Sequence, residues 1–161
     1  MTSGRSVILA LVTAAFAAAA SAGPFDIPLF NTAKAPSAQG KARLVFASSP
    51  FGVAVTADGR ASYDVQVDAS GLPEPSTLGG YAVYVAWAAT TDLTRWTRLG
   101  VVRNGHSVVG HAELNKFLLV ITAEPSETTS VHGGPTVLHG TSPSGWLQSF
   151  LSHPLFRGIP P

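Results

Sequence analysis

Five histidines, His106, His111, His132, His139 and His153, fall in the second half of a 161-residue chain that contains no cysteine. Imidazole is the commonest side-chain metal ligand, so a copper or zinc site is the first chemistry these residues could support. Their spacing argues against it. His106 and His111 are five apart, which places them on opposite sides of any regular strand. There is no His-x-His or His-x-x-x-His pair, and the one methionine is Met1, which rules out a Cys-Met blue-copper ligand set. No metal and no cofactor are expected. The histidines are read as surface or turn residues.

Covalent chemistry finds as little support. Thr141-Ser142-Pro143-Ser144-Gly145-Trp146 is rich in hydroxyls but lacks the Gly-x-Ser-x-Gly elbow that exposes a nucleophile. A Ser, a His and an Asp occur in almost any chain, so their presence alone assigns no triad. Glycosidic hydrolysis needs two carboxylates on one cleft. The glutamates are Glu74, Glu113, Glu124 and Glu127, and their spacing implies solvated side chains at turns and strand ends. The chain is not expected to be an enzyme. Arg95-Trp96-Thr97-Arg98 is the most conspicuous surface segment, because a Trp between two Arg can offer an aromatic platform to a sugar ring or stack a guanidinium. The competing role for Trp96 is to cover one end of the domain while the arginines stay wet.

The elements that must position these residues are strands. Arg5 followed by the 14-residue uncharged run Val7–Ala20, and then Ala20-Ser21-Ala22, reads as a signal peptide over 1–22. The run is shorter than the ~20 residues of a membrane span. Arg5 is one of ten basic residues against nine acidic ones, so cleavage leaves a formally neutral domain. That balance excludes the basic footprint of a nucleic-acid binder. Residues 23–40, rich in Pro, Ala and Ser, read as an extended lead-in or linker whose Phe25, Ile27, Leu29 and Phe30 dock on the domain or on a partner. Strand signals then recur over 41–141. They cover Ala42–Ala47, Phe51–Thr56 ending in an Asp58-Gly59 turn, the alternating Ser62–Asp68, two-sided apolar Tyr81–Ala89, Leu99–Arg103 and Ser107–Leu114 about Asn104-Gly105, two-sided Phe117–Ala123, and Thr136–His139. Asn-Gly between two such runs predicts a hairpin. With 16 Gly and 12 Pro as punctuation, the expected fold is all-β. It is expected as an immunoglobulin-like antiparallel β-sandwich of about seven to nine strands, with a closed barrel as the alternative. The tail, 142–161, has room for a short helix over Trp146–Phe156 that Pro154 and the final Ile159-Pro160-Pro161 would end.

An ordered series of short motifs runs through the second half. Tyr81-Ala82-Val83-Tyr84-Val85-Ala86-Trp87 is followed by Leu99-Gly100, by Leu118–Ala123 with Glu124-Pro125, and by Gly134-Pro135-Thr136-Val137-Leu138-His139-Gly140. The series resembles the extracytoplasmic β-sandwich domain of anti-sigma-K-type factors over residues 59–140. The resemblance implies a β-sandwich outside the cytoplasm and brings no catalytic residue. That family carries a sigma-binding domain and a transmembrane helix ahead of the sandwich. Neither is read in these 161 residues, so sigma-factor binding is not carried over.

The expectation is an exported, periplasmic or secreted, non-catalytic domain that binds protein as an accessory or assembly subunit of a periplasmic or membrane-associated complex. Its candidate surface comprises Arg95, Trp96 and Arg98 with Phe25, Phe30, Trp146 and Phe156 from the ends of the chain. The alternatives are a small-ligand or carbohydrate module built on Trp96 with Arg95 and Arg98, and a metal-binding or hydrolytic protein using the late histidines.

Overall fold

A computed structural model describes residues 25–47, 56 and 60–143. The signal segment, most of the expected Phe51–Thr56 strand with its Asp58-Gly59 turn, and the C-terminal helix with Trp146 and Phe156 lie outside the described residues. Within them the chain is all-β. Its strands are β1 (Asp26–Asn31), β2 (Gln39–Phe46), β3 (Tyr63–Ser70), β4 (Val83–Ala89), β5 (Trp96–Val102), β6 (Gly105–Ala112), β7 (Leu118–Glu124) and β8 (Thr136–Thr141), with one 3-10 turn at Pro75–Leu78. Every pairing is antiparallel. The order is β5-β4-β7-β8-β1-β2-β3-β6, and the two end strands then approach each other, so the sheet is nearly closed.

The segment expected as a lead-in contributes β1. Ile27 and Leu29 are buried in the core, and Asp26, Pro28 and Phe30 alternate with them, which is the period of a strand. Pro28 disguised it, because proline removes a ladder donor. Here that loss is tolerated: β1 pairs with β2 over Asp26–Leu29 and with β8 only over Phe30–Asn31, so Pro28 has a ladder neighbour on one side alone. By changing partners along its length, β1 joins the two halves of the sheet, as corner strands do where sheets turn.

The Asn104-Gly105 hairpin is a second correction. The turn is present, with Gly105 at φ 98°, but β5 and β6 do not form a ladder and sit at opposite ends of the order. The Asn104 amide is committed elsewhere: it accepts from Leu72 N–H at 3.0 Å and donates to Leu72 C=O at 2.9 Å, mimicking a strand partner for the turn after β3. The chain leaves Asn104 to pair β6 with β3. What holds β5 against β6 is the contact of two bare backbones. A Cβ on Gly100 would lie 2.3 Å from the Val109 carbonyl oxygen, and one on Gly110 2.9 Å from that of Leu99.

Alternation in β3 puts Tyr63, Val65, Val67 and Ala69 into the core and Asp64, Asp68 and Ser70 into solvent. The inner face of β4, Tyr84, Ala86 and Ala88, meets Leu119, Ile121 and Ala123 of β7 in the same core. Burial raises the pKa of the Tyr63 phenol; the same desolvation, with Glu74 nearby, raises that of Tyr84, whose hydroxyl donates to Pro73 C=O. Unlike β3, β4 and β7 are also buried on their outer faces, through Val85, Trp87 and Ala89 and through Val120, Thr122 and Glu124.

The glycine contact between β5 and β6 yields a direct expectation. Gly100→Val forces the strands apart and should cost at least about 2 kcal/mol, the range of overpacked backbone contacts. The same change at Gly105, where a Cβ meets nothing within 4 Å, is strained only by its positive φ and should cost less. Thermal unfolding of both variants checks the order.

Candidate functional site

Two surface clusters bring together chemistry-bearing side chains. The first is built on the doubly buried strands. Residues 125–135 leave β7, cross the outer face of β4 and β5, and return to start β8; we call this segment the strap. It is attached at several points. Glu124, 1% exposed, accepts the Thr122 hydroxyl at 2.6 Å and the amides of Gly133 and Gly134 at 3.2 and 3.4 Å. Thr122 in turn accepts the indole N–H of Trp87 at 2.8 Å. Ala123 N–H donates to Pro135 C=O, and Gly134 passes so close to Ala123 that a Cβ would meet its carbonyl oxygen at 1.6 Å. Near the middle, Arg98 donates from Nη2 to Glu127 C=O, while Arg103 bonds the Glu127 carboxylate at 2.9 Å. Glu124 is thus not the solvated carboxylate its place beside Pro125 suggested. The signal that could have found it is Gly133-Gly134, a pair of unobstructed donors ahead of the strand paired with β7.

The strap lays the His132 ring between two tryptophans. Trp96 stacks on it with centroids 3.7 Å apart and planes at 26°, and it meets Trp87 edge-on at 6.0 Å. Trp96 also donates its indole N–H to Leu93 C=O at 3.0 Å. Leu93 stands at φ 59° in the exposed turn between β4 and β5, a left-handed conformation that leucine rarely adopts. Side-chain hydrogen bonds from Thr90 and Thr94, with the Thr94 N–H, hold the Asp92 carboxyl below the usual carboxylate range and so brace this turn.

Of the residues the sequence singled out, three lie at this corner. Arg95 is exposed, Trp96 is half-buried against His132, and Arg98 lies beside Trp87 in the register. The buried Nε of Arg98 has no acceptor among the described residues. Phe25 packs on its own domain, edge-on to Phe46 at 5.3 Å. Phe30 is 60% exposed beside His139, at the far end of the outer row Arg98–Trp87–Val120–His139–Phe30.

The second cluster lies on the wet face of β3 and β6. His106 pairs with Asp68 at 2.8 Å and His111 with Asp64 at 3.2 Å, so the two histidines share a face despite their odd spacing. The reason is a β-bulge. Val65 pairs with Gly110 but Gln66 with Val108, so Val109 is the extra residue and the parity beyond it is reversed. Gly110, at φ 130°, supplies the backbone freedom and was the available sequence signal. The same reversal brings His111 Nε2 to 2.6 Å from Ser62 Oγ. Among the described residues no three His, Asp or Glu side chains are arranged to hold a metal ion. No family model, curated protein or solved structure matches the chain.

The Trp87–Thr122–Glu124 chain is testable by removing its middle member. Thr122→Val keeps shape but leaves the indole N–H and the carboxylate each short of a partner, and should cost roughly 1–3 kcal/mol. The Trp87 contribution to near-ultraviolet circular dichroism should weaken with it.

Proposed function

We propose that the chain is an exported binding domain that docks on a protein partner through the corner formed by Leu93, Arg95, Trp96, Val131 and His132. The observation that carries this reading is the pairing of strain with exposure. Leu93 is held left-handed and is 52% exposed, and Val131, next to His132, is 72% exposed. Stability alone favours Asn or Gly at the first position and a polar residue at the second. A rigid aromatic stack flanked by exposed aliphatic groups and an arginine has the composition of an interface centre. The stack, the Trp96–Leu93 bond and the strap pins hold it in place before any partner arrives, which lowers the ordering cost of association.

Export is supported by Arg5, the apolar run and Ala20-Ser21-Ala22. Among the described residues no helix is long and apolar enough to cross a membrane. An accessory role in a periplasmic or membrane-associated complex suits a formally neutral domain whose distinguishing surface is apolar and aromatic. A carbohydrate platform on Trp96 is less well supported, because His132 takes one indole face and Leu93 takes the N–H.

A photo-crosslinking residue at Val131, placed in the full chain in its native host, should give one discrete adduct. Leu93→Asp should abolish that adduct, and Leu93→Asn should weaken it while raising the melting temperature. A crosslinker at Val108, 68% exposed on the opposite half of the sheet, should give none. Equal adducts at both positions, or an adduct indifferent to Leu93, would overturn the assignment.

A further inference from the structure

The wet face of β3 and β6 carries an arrangement that the strap corner does not use. We propose that Ser62 is a nucleophile, His111 its general base and Asp64 the residue that orients the imidazole, and that together they cleave small carboxylic esters.

The geometry follows from register. Ser62 and Asp64 flank Tyr63, the buried first residue of β3, so both side chains point away from the core, and the bulge at Val109 sets His111 across from Asp64. His111 Nδ1 is 3.2 Å from Asp64 Oδ1, and Nε2 is 2.6 Å from Ser62 Oγ. With its Nδ1–H donated to the carboxylate, the ring presents a lone pair at Nε2, and the Ser62 hydroxyl donates to it. That is the tautomer a base needs in order to accept the serine proton. Glu113 Oε1, 3.6 Å from the same Nε2, supplies a second negative charge beside the imidazolium that proton transfer creates. His106 is the internal contrast. It makes the same Nδ1 pair with Asp68 at 2.8 Å, and no hydroxyl is bonded to its Nε2 among the described residues.

A cleft of about 190 Å³ opens beside His111, lined also by Arg60, Arg95, Thr97, Glu113 and Leu114. It has room for a small acyl group beside the general base, and the guanidinium groups of Arg60 and Arg95 put positive charge on its wall. In the first half-reaction the Ser62 proton passes to His111 Nε2 as Oγ bonds the ester carbonyl carbon. The tetrahedral oxyanion then collapses, the bond to the leaving oxygen breaks, and that oxygen takes the proton from Nε2. Water repeats the sequence on the acyl-serine, releasing the acid and restoring the Ser62 hydroxyl. Asp64 and His111 are both about half-exposed, so the field they act in is screened and turnover is expected to be slow.

The test is covalent labelling of the full chain with a fluorophosphonate, read by peptide mass spectrometry, alongside hydrolysis of p-nitrophenyl acetate. Labelling should fall on Ser62 and disappear in Ser62→Ala and His111→Gln, with melting temperatures within a few degrees of the parent. Asp64→Asn, which favours the wrong tautomer, should slow labelling by on the order of tenfold or more, and Asp64→Glu should restore part of it. His106→Gln should change neither readout. Labelling spread over several serines, no label at Ser62, or hydrolysis unchanged in Ser62→Ala would each overturn the proposal. None of these outcomes bears on the strap corner.

Discussion

Two strands that are apolar on both faces govern the rest of this structure. A strand at the wet surface needs one apolar face, but β4 and β7 bury nearly every side chain they carry. Their inner faces are satisfied by curling the sheet until β5 and β6 touch through Gly100 and Gly110. The outer faces need a cover, and the chain supplies one in the strap between β7 and β8. A buried carboxylate without donors would cost several kcal/mol. Glu124 avoids that cost by accepting the Thr122 hydroxyl and two strap amides, so the group most expensive to bury also fixes where the cover lies.

The surface of the covered half follows from that placement. The strap presses His132 onto Trp96 and against the edge of Trp87, and it is tied down at Glu127 by Arg98 and Arg103. The turn before β5 completes the corner by holding Leu93 in a left-handed conformation with its carbonyl bonded to the Trp96 indole N–H. The other half, β2, β3 and β6, follows the ordinary rule of one dry and one wet face. Its wet face carries polar side chains in register, and one bulged residue decides which of them meet.

The fold class was legible because strand alternation and Gly/Pro punctuation are local signals. Seven of the eight strands among the described residues overlap segments where strand signals placed them, β4 and β7 as two-sided central strands among them. What escaped was set by partners distant in sequence. Pro28 hid β1, since whether a proline costs a hydrogen bond depends on which strand lies on which side. Asn104-Gly105 read as a hairpin because the bond from Asn104 to Leu72, 32 residues away, is invisible locally. The candidate site was less legible still. Arg95, Trp96 and Arg98 were conspicuous by composition. His132, which turns Trp96 into a rigid stack, arrives from a loop with no periodicity, and the meeting of Ser62, Asp64 and His111 depends on a parity reversal that only the pairing register reveals.

The strap, and with it the aromatic corner, stands or falls on whether two backbone amides are held by a buried carboxylate. Native-state hydrogen exchange at Gly133 and Gly134 measures this directly. Both lie in a segment without regular secondary structure, where unprotected amides exchange at near-random-coil rates. Protection approaching that of the β7 amides, lost for both together in Glu124→Leu, which removes the acceptor oxygen, is the result expected if Glu124 anchors the strap. Exchange at the rate of a free loop in the parent protein would contradict it.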